Sequence, residues 1–177
     1  LSTFPAIAQE AILEYFEDPY EESVILTDDE EIYFIDIDMG FELPEGSRII
    51  TAEEAYAEIS FGNGAIIKLS GDTDFTIDDL QTEEGGENVF TMTMGKFRTV
   101  AGRATGDEKY TFNGPSAVCG VRGTDFGMDV PITGGQEAAF VLDGLIDYTN
   151  SAGETIELAT GQMADALGDT FEAIEIP

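Results

Sequence analysis

The sequence predicts an all-β domain: a twisted, solenoid-like stack or an elongated sandwich of short antiparallel strands, with one short N-terminal helix. Three observations lead there. Apolar runs of four to seven residues recur about every eight to twelve residues, the rhythm of a sandwich, barrel or solenoid. Glycine supplies 20 of 177 residues and sits between those runs, where turns are needed. Only one segment, near the N-terminus, carries helical spacing.

That segment is residues 4–16. Pro5 suits a first helical turn, and Ile7, Ala11, Ile12, Tyr15 and Phe16 share a helical face. Asp18-Pro19 ends it. Residues 1–20 are therefore expected to form a helical segment packing on an all-β domain of residues 21–177. Val24, Ile25 and Leu26 lie inside the acidic stretch 21–31, and the β-branched, partly alternating run 32–39 reads as a strand. Gly40 and Pro44-Glu45-Gly46 punctuate the next stretch. Ala55, Ala57, Ile59 and Phe61 then alternate with Tyr56, Glu58 and Ser60 before Gly62-Asn63-Gly64, and residues 65–69 return, which predicts a hairpin. Residues 72–77 read as another strand.

Residues 81–88 form a polar loop with nothing to bury. Phe90, Met92 and Met94 alternate with threonines, and after Gly95 the pattern resumes at Phe97. Lys96, Arg98, Arg103 and Lys109 are four of the seven bases, expected to pair with acids elsewhere in the fold. The chain is organised around residues 114–130. Ala117–Val121 and 126–130 are two buried strands, and Arg122-Gly123-Thr124 is the corner between them. Phe126, Met128 and Val130 fall on one strand face, Gly127 and Asp129 on the other. Gly123 serves either a positive φ or a close approach of another strand. Further short strands come at 138–142, 144–148 and 155–158, and residues 160–164 close the series.

Composition narrows the chemistry. A net charge of −30, with seven bases against thirty-seven acids, excludes nucleic acid and anionic membrane surfaces as partners. Two explanations fit the acid excess: a salty habitat that screens self-repulsion, or solubility in a crowded compartment. With one cysteine and no histidine, no disulfide can form within the chain, the usual His/Cys metal sites are absent, and no cofactor is implied. Cys119, inside an apolar strand, reads as a small buried hydrophobe. The acidic runs 28–31 and 72–79 lack the spacing of a calcium loop and read as solvated faces, so no metal site is assigned. No stretch of eighteen apolar residues offers a membrane-spanning helix. The start at Leu1 reads as a trimmed chain or a mature protein after signal removal.

The run Pro115-Ser116-Ala117-Val118, then Gly120-Val121-Arg122-Gly123-Thr124-Asp125-Phe126, resembles the signature of FecR-type domains. Ile50-Thr51 with residues 57–64 and 67–69 resembles the family's earlier segment. Residues 141–147, 153–158 and 160–162 resemble its closing one, so the likeness spans 46–164. It implies a twisted, solenoid-like all-β domain without catalytic residues, in the periplasm, envelope or secreted space. In the namesake regulators such a domain receives a signal from an outer-membrane transporter and passes it to an anti-sigma segment. This chain departs from them in showing no cytoplasmic anti-sigma segment and no transmembrane helix. The site residues implied are Val121, Arg122, Gly123, Thr124, Asp125 and Phe126, as structural elements or partner contacts. Arg122 either meets a partner or anion, or ties Asp125, Asp129 or nearby carbonyls. Two function classes result. One is a non-enzymatic extracytoplasmic module that binds a protein or envelope component or relays a signal; the alternative is a carbohydrate-active enzyme using a carboxylate pair.

Overall fold

The structure is a computed structural model that describes residues 10–62, 64–81, 87–100, 109–133 and 135–177. Along the chain these form β1 (Ala11–Glu17), β2 (Val24–Leu26), β3 (Glu31–Tyr33), β4 (Phe41–Leu43), β5 (Arg48–Ile50) and β6 (Tyr56–Phe61). Next come β7 (Ile66–Leu69), β8 (Asp74–Asp79), β9 (Glu87–Val100), β10 (Lys109–Asn113), β11 (Ala117–Val121) and β12 (Asp125–Val130). The series ends with β13 (Ala138–Asp143), β14 (Leu145–Asn150), β15 (Thr155–Ala159), β16 (Gln162–Asp165) and β17 (Ile174–Glu175). All-β architecture is therefore as the sequence predicts.

The strands join in one network that folds into two faces sharing β9. The front face runs β4-β1-β6-β7-β9-β12-β13-β16-β17. The back face runs β3-β2-β5-β8-β9-β10-β11-β14-β15. Among the described residues every pairing is antiparallel except β9–β10. After β9 the hairpins alternate between faces: β10–β11 behind, β12–β13 in front, β14–β15 behind, β16–β17 in front. This alternation is what the strand–glycine–strand rhythm encodes.

β9 crosses between the faces at Gly95. Before it Phe90 and Met92 are buried; after it Phe97 and Thr99 are, so the inward parity flips. Gly95 sits at φ +103°, and a Cβ there would overlap Thr73. Only glycine meets both conditions. The crossing brings rings of both faces together: Phe112 stacks on Phe97 at 4.8 Å and on Phe90 at 5.0 Å, and meets Phe126 edge-on at 5.1 Å. Aromatic pairs of this kind add about 0.5–1.5 kcal/mol each beyond area burial.

Two sequence expectations fail. The helix over 4–16 is not borne out: Ala11–Glu17 is a strand between β4 and β6, and residues 4–9 lie outside the described residues. A bulge between Leu13 and Tyr15 explains the misreading. Leu13 faces inward, the bulge turns Glu14 and Tyr15 both outward, and Phe16 returns to pack on Phe34 at 5.0 Å. The extra residue converts a two-residue period into one that imitates a helix. The strand over 32–39 also stops early, because β3 ends at Tyr33 and a 3-10 turn (Phe34–Asp36) drops Phe34 fully into the core. Residues 82–86 of the polar loop lie outside the described residues, while Glu87 and Asn88 already belong to β9.

Candidate recognition site at the signature corner

β11 lies in the back face and β12 in the front, so Arg122-Gly123-Thr124 carries the chain from one sheet to the other. Gly123 has φ +56°, the left-handed region that a β-branched residue avoids. Val121 is buried, and Phe126 is fully buried edge-on to Phe97 and Phe112. The buried Thr124 hydroxyl lies 2.9 Å from the Leu145 carbonyl and 3.1 Å from that of Arg122. The Thr124 carbonyl in turn accepts from Thr99 at 3.0 Å. Thr124 also fills the space beside Gly144, where a Cβ would press on it. Asp125 accepts both nitrogens of the Arg98 fork, at 3.2 and 3.0 Å. Five of the six signature residues thus have a task within the fold.

Arg122 has none. Asp125 is held by Arg98, and Asp129 by Lys96 at 3.1 Å, so both carboxylates expected to tie Arg122 are engaged elsewhere. Arg48 pairs with the buried Asp74, and Lys68 with Glu58 at 4.0 Å. Of the six bases among the described residues, only Arg122 and Lys109 lie outside these pairs. Neither side chain makes a hydrogen bond to another described residue. Asp74 belongs to one of the two acidic runs, and its pairing with Arg48 shows that this run is not wholly solvated.

Arg122 and Lys109 line the same open groove, about 470 Å³, on the outer surface of the back face. Glu87, Asp147 and Glu157 share it. Its floor is set by register: Gly120 sits between Thr111 of β10 and Asp147 of β14, and Asp147 opposes Glu157 of β15. Gly120 is not there for its backbone. Its φ is not positive, and an added Cβ would meet nothing nearer than the Asp147 Cβ at 3.9 Å. A glycine within a strand costs about 0.5–1 kcal/mol relative to alanine, and what it leaves here is room.

Near Ser116, at the end of β11 away from Arg122, lies a buried polar cluster that sequence reasoning missed. Glu137 is 2% exposed, and its Oε2 accepts the Ser116 N–H at 2.8 Å. Its Oε1 has no hydrogen-bond partner among the described residues and occupies the place a Gly114 Cβ would take. The Tyr148 hydroxyl donates to the Glu137 carbonyl at 2.9 Å. Burial raises the Glu137 carboxyl above its ordinary pKa, against the lowering effect of the Ser116 hydrogen bonds. Burial likewise lifts the Cys119 thiol well above its usual range, with Glu137 adding to it. The thiol donates only to the Met128 sulfur, at 3.6 Å. Such a thiol is a packing group and not a nucleophile. Nothing marked Glu137 among thirty-seven acids, because its one distinction is position.

A family model described as FecR protein matches residues 47–147, from just before β5 into β14, and includes the whole corner. Two crystal structures of a "putative anti-sigma factor" from Parabacteroides distasonis ATCC 8503, at 1.65 and 2.50 Å, are similar in fold. Each gives a TM-score of 0.60 at 13% identity over 72% of this chain. The match spans 59% of that protein's length. No curated protein matches the chain in sequence.

Proposed function

The chain belongs to the FecR protein family, and from that premise we propose that it is a non-enzymatic, extracytoplasmic signalling module that docks a protein or envelope partner on the back-face groove. One observation carries the reading: Arg122 is the one residue of the signature whose side chain has no partner among the described residues, and it stands exposed at the groove. Lys109 beside it and the open floor at Gly120 give the partner two cations and space. An unengaged arginine in a partly apolar groove is the kind of side chain on which protein interfaces concentrate their binding energy. The anti-sigma description of the similar fold supports a regulatory role. Among the described residues no helix is long and apolar enough to cross a membrane.

A carboxylate-pair hydrolase draws less support. Glycoside cleavage needs two carboxyl groups flanking the scissile bond. Asp147 and Glu157 are register neighbours on one sheet face instead.

The test is site-specific photo-crosslinking in cells that make the full protein. A crosslinking residue in place of Leu145, exposed at the rim of the groove, is expected to trap one defined protein or envelope component, and one in place of Lys68 on the front face is not. Arg122→Ala should abolish the adduct while the domain stays folded. Equal trapping from both faces, or an adduct indifferent to Arg122→Ala, would overturn the assignment.

A further inference from the structure

The two ends of the sandwich are finished differently. At one end the edge strands are β15 and β17, and the chain's own last segment covers it. Phe171 packs on Tyr148 at 5.6 Å, β17 pairs with β16, and the Ile176 N–H reaches the Gly161 carbonyl at 2.8 Å. At the other end the edge strands are β3 behind and β4 in front, each paired on one side only among the described residues. Between them lies a cleft of about 420 Å³. Ile32, Phe41 and Pro44 supply its apolar lining; Asp29, Glu30 and Glu42 supply carboxylates, and no base lines it. Tyr33, Ile35 and Met39, between 41% and 55% exposed, continue the apolar surface through the connection from β3 to β4.

We propose that this cleft docks an extended, cationic segment of a partner protein. Three features of the site select that occupant. Among the described residues the outer edges of β3 and β4 have no strand partner, and an extended peptide adding alongside would pair their main-chain N–H and C=O groups. The apolar lining takes an aliphatic side chain of that segment between Ile32 and Phe41. The carboxylates of Asp29, Glu30 and Glu42 face its alternate lysine or arginine side chains, with no internal base to compete. A bare metal cation would leave the apolar lining unused. The cleft shares no residue with the Arg122 groove and lies outside residues 47–147, so it stands whether or not the groove binds a partner.

Fluorescence anisotropy of the purified whole chain tests this with three labelled decapeptides: alternating Lys-Val, Lys-Gly and Glu-Val. Lys-Val should bind saturably at one site, and Glu-Val should not bind. Replacing Val by Gly should weaken binding at least about tenfold, the scale of losing an apolar anchor. Glu42→Lys and Glu30→Lys, both at exposed positions, should each weaken Lys-Val binding by about three- to tenfold. Phe41→Ser should weaken it at least as much as the glycine peptide does. Arg122→Ala should leave it unchanged, which separates this site from the groove. Three results would overturn the proposal. One is equal binding of Lys-Gly and Lys-Val. Another is an equal loss from Glu157→Lys on the far side, which would reveal nonspecific attraction to a polyanion. The third is binding that emerges only after residues 1–9 are removed, which would assign the cleft to the chain's own N-terminal segment.

Discussion

The outer surface of the front sheet and the β10–β11 region of the back sheet use their charges in opposite ways. On the front, Lys96 is fixed to Asp129, Arg98 to Asp125 and Lys68 to Glu58, so each base is committed to an acid of an adjacent strand. Lys68 and Arg98 even face each other in register, and each is neutralised by its own carboxylate. On the back, around β10 and β11, Lys109 and Arg122 pair with none of the described acids, although Glu87, Asp147 and Glu157 line the same groove. With thirty-seven acids against seven bases, scarcity of acids is not the cause. Exposed pairs contribute about 0–1 kcal/mol each, so the front pairs mainly fix register. On the proposed reading, the β10–β11 region of the back face leaves the same chemistry for a partner.

The contrast depends on the corner that joins the two faces, and the largest expected effect lies there. Gly123→Val forces a β-branched residue into φ +56°. It should cost about 1–3 kcal/mol from strain alone, a fall of roughly 3–10 °C in melting temperature for a domain of this size. An unchanged melting curve would mean that the corner tolerates another path and that the two faces are not rigidly related.

Glu137 gives the next effect, read against pH. Its folded pKa is raised above the ordinary 4.5, so the folded protein holds that proton more tightly than the unfolded chain does. The resulting stabilisation is fully present below pH 4.5 and is lost as pH rises through the higher folded value. General repulsion among the acids has the same sign, so the comparison with Glu137→Gln isolates the single group. The variant should show a flatter decline of melting temperature between about pH 4.5 and 7. Parallel curves would show that Glu137 is ionised in both states.

Smaller effects sharpen the contrast between faces. Arg98→Ala should lower stability by about 0.5–1 kcal/mol, since it releases both oxygens of a partly buried Asp125. Gly120→Ala should leave stability unchanged or raise it by up to about 1 kcal/mol, because the added methyl enters open space in a strand. The same substitution narrows the groove floor, so partner crosslinking from a groove-rim residue such as Leu145 should weaken while stability does not fall. A destabilised Gly120→Ala would mean that the glycine serves the backbone and that the groove is incidental.

What was legible in the sequence was what local pattern encodes. The hairpin around residues 62–64 showed through strict alternation and turn glycines, and Gly123 through its place between two apolar runs. The parity flip at Gly95 was visible as a pattern that stopped and resumed. β2, β4 and β5 have three residues each, too few for alternation to register. The bulge in β1 hid a strand behind a helical spacing, since periodicity cannot separate an inserted residue from a change of period. Charge partners were the least legible. Arg122 was expected to meet a partner or anion, or to tie Asp125, Asp129 or nearby carbonyls. Asp129 opposes Lys96, and Asp125 lies diagonal to Arg98, only once β9 has crossed to the front. That crossing is a long-range event, and nothing near residue 122 announces it.

The most direct measurement is chemical unfolding of Arg122→Ala beside Arg98→Ala and the parent protein under identical buffer. If the back face is surplus to the fold, Arg122→Ala should unfold within about 0.5 kcal/mol of the parent, as surface changes away from structural contacts do. Arg98→Ala should fall measurably below both. A loss of more than about 1 kcal/mol on removing Arg122, equal to or larger than that of Arg98→Ala, would contradict the account and make Arg122 a structural member of the corner.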